Sequence, residues 1–453
     1  MEEKTYLKWY NKIGYGSGDI AGNVVYALLA SFVIAYTTTT MGMNAGIVGS
    51  LIALSKLFDG ITDIFFGHLI DRTKSKMGKA RPWMLYGYIG CAVMLVAVFA
   101  IPTSLGEFAK YAWFFIAYTV LHAVFFTANN IAYSALTSLV TVNNKERVQL
   151  GSCRFIFAFS TSLLIQSVTL VFVRKMGGDA AAWRTVAIIY ATIGLIVNTI
   201  SVMSVKELPE EERCKVHTEE KENSSCSFVE TAKLILSNKY YLRICAVYLL
   251  QQIYTAMISQ GLFYAKFILG NEDLFAVFAW AINIPLIISL LITPFMVTRF
   301  KGMYKLNLTG FAVASVGRLL VLIAAYMGNI PLMMVFTAFA AFGMGPWQGD
   351  MNAVIAECSE YTYLTKQKHV EGSMYSCTSL GLKLGGGLGI ALTGWLLEWS
   401  GFVGTSAVQS ESCLRMLRVM YLWLPFFILL LITFIMSILN VEKANKALKE
   451  GLA

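Results

Sequence analysis

Charge is scarce in this sequence. Asp, Glu, Lys and Arg make up 14% of its 453 residues, against about 25% in a soluble domain. Apolar residues make up 57%, and the mean hydropathy is +0.62. This excludes a water-soluble globule and indicates an integral membrane protein. Histidine is scarce too: there are four, widely spread. The eight cysteines show no Cys-x-x-Cys or metal spacing. Cys91, Cys153, Cys245 and Cys377 lie in or near apolar runs, and Cys214 and Cys226 in a charged loop. They read as small apolar fillers or reduced thiols, not as a disulfide framework. No nucleophile–base set is visible. The composition therefore argues against an enzyme, and no cofactor is expected. The +9 net charge does not imply a nucleic-acid partner, because the basic residues cluster in loops between apolar runs. A short cleavable leader is not expected: Met1 to Lys12 is polar and a long apolar segment follows.

Apolar runs occur at 13–40, 46–70, 82–102, 110–140, 151–173, 184–205, 240–269, 275–298, 306–326, 331–357, 371–398 and 417–440. A spanning helix needs about 20 apolar residues, so these runs predict about twelve transmembrane helices. The long polar segment from Lys206 to Lys239 contains Glu210-Glu211-Glu212 and Glu219-Glu220-Lys221-Glu222. It divides an N-terminal six-helix half (1–205) from a C-terminal six-helix half (240–440), with a central loop (206–239) and a tail (441–453). The expected fold is all-α, two pseudo-symmetric halves on the major-facilitator plan, with substrate near the midplane between them.

Orientation follows from Lys and Arg. Two thirds of the 36 fall in the N-terminal segment, the central loop, the tail and the loops on their side. The opposite loops hold Lys110, Arg174, Lys175, Arg184, Arg415 and Arg418. Both termini are expected in the cytoplasm. The remainder, Lys56, Arg154, Arg243, Lys266, Arg318 and Lys383, fall in or at the ends of spans.

The stretch Ser55-Lys56-Leu57-Phe58-Asp59-Gly60-Ile61-Thr62-Asp63 places three ionisable groups in one apolar run. Asp59 and Asp63 are four apart and share a helical face, with Lys56 on the same side. An ionised group at bilayer depth costs roughly 2.5–3.5 kcal/mol by insertion scales. Such a face belongs against a wet cavity, as a proton or cation site, or against another helix, as a structural ion pair. The loop that follows, Gly67-x-x-x-Asp71-Arg72-x5-Gly78-x2-Arg81-Pro82, suits tight turning and charge locking of helix ends.

The first helix opens Gly14-Tyr15-Gly16-Ser17-Gly18-Asp19, with Asn23 four residues beyond Asp19 on the same face. Its glycines permit close backbone approach. Asn both donates and accepts, as a sugar site requires. The fourth helix carries Asn129-Asn130-Ile131-Ala132-Tyr133-Ser134. Buried amides and phenols need partners, from a ligand or a neighbouring helix. Glu146-Arg147 reads as a surface or helix-end charge pair. Arg154, inside the fifth helix, suits the second-helix carboxylates or an anionic substrate.

In the second half, Gly345-Pro346-Trp347-Gln348-Gly349-Asp350 suggests a break or bend lining a cavity. Trp347 suits stacking on a sugar ring or helix packing, and Gln348 lies beside it. Lys266 suits snorkelling to an interface. Arg318 and Asp350 have no partner legible in the sequence. Ser373, Tyr375, Ser376, Thr378 and Ser379 lead to Lys383, which Gly385-Gly386-Gly387 follows. An intramembrane Lys needs a counter-charge, and Asp59 and Asp63 are expected to supply it. His369 reads as a loop residue.

With these residues assembled, the chain resembles the glycoside–pentoside–hexuronide:cation symporter family, which includes melibiose permease and the bacterial glucuronide carriers. The resemblance runs over nearly the whole chain. It rests on Gly14-Tyr15-Gly16-x-Gly18-Asp19-x3-Asn23, Phe58-Asp59-x3-Asp63, Gly78-Lys79-x-Arg81-Pro82-Trp83 and Asn130-Ile131-x-Tyr133-x-Ala135-Leu136. It continues through Glu146-Arg147-x2-Leu150-x3-Arg154, Glu357-x3-Tyr361, Glu371-Gly372-x2-Tyr375-Ser376 and Lys383-x-Gly385.

The resemblance implies a coupling-cation site at Asp59 and Asp63, with Asn130 at the fourth-helix position and Lys383 nearby. Where melibiose permease has a fourth-helix acid, this chain has Asn130. One negative charge is missing, which favours H+ over Na+, although Asp59 and Asp63 also suit Na+. The resemblance further implies sugar contacts from Asp19, Asn23, Asn130, Tyr133, Ser134, Arg154, Trp347, Gln348, Thr378, Ser379 and Lys383. Asn23 and Ser134 replace the galactoside-binding acid and tryptophan of melibiose permease. With few acids beside Arg154 and Lys383, an anionic sugar such as a glucuronide is expected. Asn271-Glu272-Asp273-Leu274-Phe275 also resembles the glucuronide-carrier branch. The resulting expectation is a monomeric sugar:cation symporter of the bacterial cytoplasmic membrane, with a neutral glycoside or a lysolipid as the alternative cargo.

Overall fold

The computed structural model describes residues 5–141, 143–209, 233, 236–300, 302–367 and 371–451. Most of the central loop, together with Lys368 and His369, lies outside them. Every regular element among the described residues is helical. In order these are α1 (Trp9–Gly16), α2 (Gly18–Ala35), α3 (Ala45–Arg72), α4 (Arg81–Val98), α5 (Glu107–Thr119), α6 (Thr127–Val140), α7 (Asn144–Lys175) and α8 (Ala180–Ser204). Then come α9 (Lys239–Ser259), α10 (Gly261–Phe267), α11 (Leu274–Phe300), α12 (Met303–Tyr326), α13 (Ile330–Lys366), α14 (Glu371–Trp399), α15 (Glu411–Arg418), α16 (Leu424–Ser437) and α17 (Val441–Lys449). Short π-helical turns, Tyr36–Thr40, Val120–Phe126 and Val419–Trp423, extend or join some of them.

Among the described residues, nine helical segments are long and apolar enough to cross a membrane. Outside that set, α3, the α9–α10 pair and α14 are also long; α3 is interrupted by Lys56, Asp59 and Asp63. Asn and Asp side chains close several helix starts: Asn44, Asp179, Asn238, Asn329 and Asn440 each accept a first-turn backbone N–H. Proline sits in the first turn of α4 and α13, where its missing N–H costs nothing.

The chain forms two compact units. The first comprises residues 1–222 with 390–410, and the second 223–389 with 411–453. The end of α14 thus joins the first unit. There Trp395 Nε1 donates to Ser50 Oγ at 2.8 Å, and Asn44 Nδ2 to Glu398 Oε1 at 3.2 Å.

Within the first unit, small residues set the packing, as expected where lipid offers no hydrophobic drive between helices. A Cβ on Gly16 would lie 2.8 Å from the Cys153 Cβ, and one on Gly18 would lie 2.7 Å from Ser201 Oγ. The segment Gly14–Gly18 is therefore a place where α7 and α8 press on the first helix.

The loop before α4 is closed by a carboxylate. Glu207 accepts the backbone N–H groups of Lys79, Ala80 and Arg81 at 2.7, 2.9 and 3.1 Å. Gly78 turns there with φ +111°. Glu146 sits in the first turn of α7, the helix-end position of its two expected places, and is not a surface charge. It is 2% exposed and accepts from the Leu7 and Tyr6 backbone, from Thr141 and from Lys12. The residues before α1 fold back over the start of α7 and enclose it. Burial alone would raise the Glu146 carboxyl, but these donors hold it below the usual range.

Within the second unit, α13 runs through Pro346 without the expected break. Gly310 and Gly343 bring the α12 and α13 backbones into direct contact beside it. Here too a carboxylate closes a helix start. Glu442 accepts from Met303 N at 2.7 Å and Tyr304 N at 3.4 Å, and Gly302 has φ +143°.

Candidate functional site

The second-helix residues come first. Asp59 is buried on α3, and its Oδ2 accepts from Lys56 Nζ at 3.0 Å. Its Oδ1 is buried without a hydrogen-bond partner among the described residues. Lys56 Nζ also lies 3.0 Å from His122 Nδ1. An ammonium has only donors, so His122 Nδ1 is the acceptor and the imidazole proton sits on Nε2. His122 belongs to the π-helical turn Val120–Phe126, and its ring packs between Tyr118 and Phe126. Such a turn adds one residue and rotates the side chains that follow, a recurrent device at functional positions. Asp63, one turn beyond Asp59, is partly buried.

Asp59 takes Lys56, one turn away on the same helix, as an ion-pair partner. His122 was not among the expected residues. The signal that could have found it is a single histidine in the apolar run Tyr118-Thr119-Val120-Leu121-His122-Ala123.

A second cluster joins α2, α6 and α7. Arg154 Nε donates to Asp19 Oδ2 at 2.7 Å. Arg154 therefore does not pair with the second-helix carboxylates. Its guanidinium carbon lies 4.0 Å from the Tyr133 ring centroid. Tyr133 is held by reciprocity: its hydroxyl donates to Tyr15 O at 2.7 Å, and the Tyr15 hydroxyl donates to Tyr133 O at 2.8 Å. The two rings are 4.8 Å apart. Ser201 Oγ adds a bond to Tyr15 O at 2.9 Å. A planar cation is thus fixed by a carboxylate at one edge and an aromatic face beneath. The cation is part-exposed. That arrangement suits a bidentate anionic or polyhydroxy ligand.

Asn23 lies one turn beyond Asp19 and is partly buried, with its Nδ2 turned back to Asp19 O at 3.0 Å. The neighbouring amides of α6 separate. Asn129 is a packing residue, donating to Met84 O and to Asn198 Oδ1. Asn130 and Ser134, four apart, share an exposed face of the same helix.

In the second unit, Trp347 is 1% exposed. Its indole packs against Tyr248 and Phe311 and donates to Gln251 Oε1 at 2.8 Å. This placement is core, not a sugar-stacking wall. Gln348 and Lys383 are partly buried. The side chains of Thr378 and Ser379 lie outside the described residues, as do those of Arg147, Tyr375 and Ser376. Asp350 and Arg318 now have partners. Asn307 Nδ2 donates to both Asp350 oxygens at 2.9 Å, and Arg318 Nε donates to Tyr254 Oη at 3.0 Å. Lys266 faces Glu272 at 3.9 Å in an exposed position.

Comparisons with known proteins give the same class. A family model described as MFS/sugar transport protein matches residues 14–443. An isoprimeverose transporter of Lactiplantibacillus pentosus is 26% identical over 427 residues, 93% of this chain and 86% of that protein. A glucuronide carrier protein homolog of Escherichia coli is 27% identical over 410 residues, 89% of this chain and 87% of that one. Among solved structures, the xylose transporter XylE of E. coli superposes with a TM-score of 0.63 at 13% identity, covering 96% of this chain and 100% of that one. The nucleoside transporter NupG gives 0.61 at 13% identity, covering 95% and 98%. These likenesses establish the major-facilitator fold, and the chain is a membrane transporter, not an enzyme. It belongs to the MFS/sugar transport protein family.

Proposed function

We propose that the protein is a sugar:cation symporter of a bacterial cytoplasmic membrane, working by alternating access with both termini in the cytoplasm. The cargo is a glycoside carrying a carboxylate, a glucuronide or related hexuronide. The coupling cation is a proton acting at Asp59, with Asp63 beside it. The observation that carries the cargo assignment is Arg154, clamped by Asp19, seated on Tyr133 and part-exposed. Asn23, Asn130 and Ser134 supply further polar contacts. Of the relatives, the glucuronide carrier homolog fits this cargo, whereas the isoprimeverose transporter is named for a neutral glycoside. Coupling requires that cation and sugar both favour the same state.

The test is uptake of a labelled β-glucuronide into right-side-out membrane vesicles under a proton gradient, a sodium gradient, or neither. Accumulation under the proton gradient alone supports the reading. Flat uptake in all three arms removes the uronide and redirects the search to neutral glycosides such as isoprimeverose. In Asp59→Asn, accumulation should vanish while sugar exchange persists. Full accumulation by that variant would overturn the role of Asp59.

A further inference from the structure

We infer that Lys56 is a tethered cation that occupies the position an alkali ion would take against Asp59, so that this transporter does not bind Na+ there. This rests on the reading of Asp59 as the coupling carboxylate and names the residue that sets the ion selectivity. His122 is the positioning residue that holds the ammonium in place.

Three observations converge on Lys56. The ammonium touches Asp59 Oδ2 and His122 Nδ1, each at 3.0 Å, so its head is fixed on two sides from two different helical segments. The pair is buried, with side chains 14% and 3% exposed, so water does not screen it. Asp59 has one remaining buried oxygen, Oδ1. An alkali ion at that oxygen would sit beside a fixed like charge. Of the neighbouring hydroxyls on α3, Thr62 is turned to the Phe58 and Asp59 carbonyls, while Ser55 Oγ, one turn before Asp59, is buried without a hydrogen-bond partner among the described residues, so it is the ammonium and not a lack of oxygen that keeps an alkali ion out.

The facing groups are consistent. Tyr118, one turn before His122, packs on its ring with centroids 4.7 Å apart. Asp63 is the second carboxylate on α3 itself. On α6, another segment packed on α3, Asn129 turns to Met84 and Asn198, and Tyr133 to Tyr15 and Arg154. A proton can still be exchanged within such a set, because it needs no coordination shell. Na+ needs several oxygen ligands and no adjacent ammonium.

The experiment uses the full-length protein purified in detergent without sugar. Its thermal unfolding is followed as sodium chloride replaces choline chloride at constant ionic strength. The wild type should show no sodium-specific shift. Lys56→Met, which keeps the apolar stem and removes the charge, should gain a saturable upward shift of a few degrees, as expected for a ligand that binds only the folded state. Lys56→Gln serves if Lys56→Met does not fold. Lys56→Arg, which keeps the charge, should remain indifferent to sodium. His122→Asn should gain a weaker sodium shift than Lys56→Met. A saturable sodium shift in the wild type overturns the inference, and so does the absence of one in both neutral Lys56 variants. Because no sugar is present, failure of the cargo assignment in vesicles and failure here are read separately.

Discussion

Glu442 closes the amino end of α12 in the same way that Glu207 closes that of α4. Each carboxylate comes from just beyond the last long helix of its half. Each accepts consecutive backbone N–H groups next to a glycine with positive φ. The unsatisfied N–H groups and the positive end of the helix dipole make a carboxylate the fitting cap. The device repeats in the two units although the surrounding residues, Gly78-Lys79-Ala80-Arg81 and Gly302-Met303-Tyr304, share little beyond the glycine.

Removing a cap should therefore weaken its own unit. Glu207→Ala and Glu442→Ala should each cost about 1–2 kcal/mol. Gly78→Ala should cost a similar amount, because a Cβ there meets the Glu207 carboxylate and the backbone is in the left-handed region. Thermal unfolding in detergent measures this. Unchanged midpoints would mean the caps are ornamental to stability.

Arg154→Lys should lose binding of a uronide by about 10–100-fold, the equivalent of one charge-assisted bond of roughly 1.5–3 kcal/mol. A lysine keeps the charge but cannot span Asp19 and a second acceptor in one plane, nor stack on Tyr133. Binding of the uronide and of its neutral parent glycoside should be compared by calorimetry. Equal losses for both would show that Arg154 does not read the carboxylate.

Glu146 predicts a pH dependence. Its carboxyl is held below the ordinary range by Thr141, the Leu7 and Tyr6 backbone and Lys12, against the opposing effect of burial. The unfolded state therefore binds a proton at higher pH than the native state. The stabilisation is fully present above the unfolded value and is lost as pH falls through the depressed folded value. Glu146→Gln should be less stable than wild type at neutral pH, and the gap should narrow on acidification toward pH 3–4, the lower part of the ordinary carboxylate range. A gap that stays constant down to that pH would exclude this carboxylate as its source.

Trp347→Phe should lower thermal stability and leave uronide affinity unchanged. The variant keeps most of the packing against Tyr248 and Phe311 but leaves Gln251 Oε1 without its donor. Such a buried unpaired acceptor costs about 1–3 kcal/mol. A large loss of sugar affinity with unchanged stability would return Trp347 to the sugar site.

Much of the protein was legible in the amino-acid order. The apolar runs located the long helices, since each must satisfy its own backbone in lipid. The spacing of Asp59 and Asp63, and of Asp19 and Asn23, placed each pair on one face, because helical period is local. Partner choice was not legible. Asp59 takes Lys56, which takes His122 in turn, Arg154 takes Asp19, Glu146 takes the chain before α1, and Trp347 takes Gln251. A sequence states which groups are costly to bury, because desolvation depends on the residue itself. Which partner relieves that cost depends on where helices cross and how a π-helical turn aims His122, and only the tertiary structure decides it.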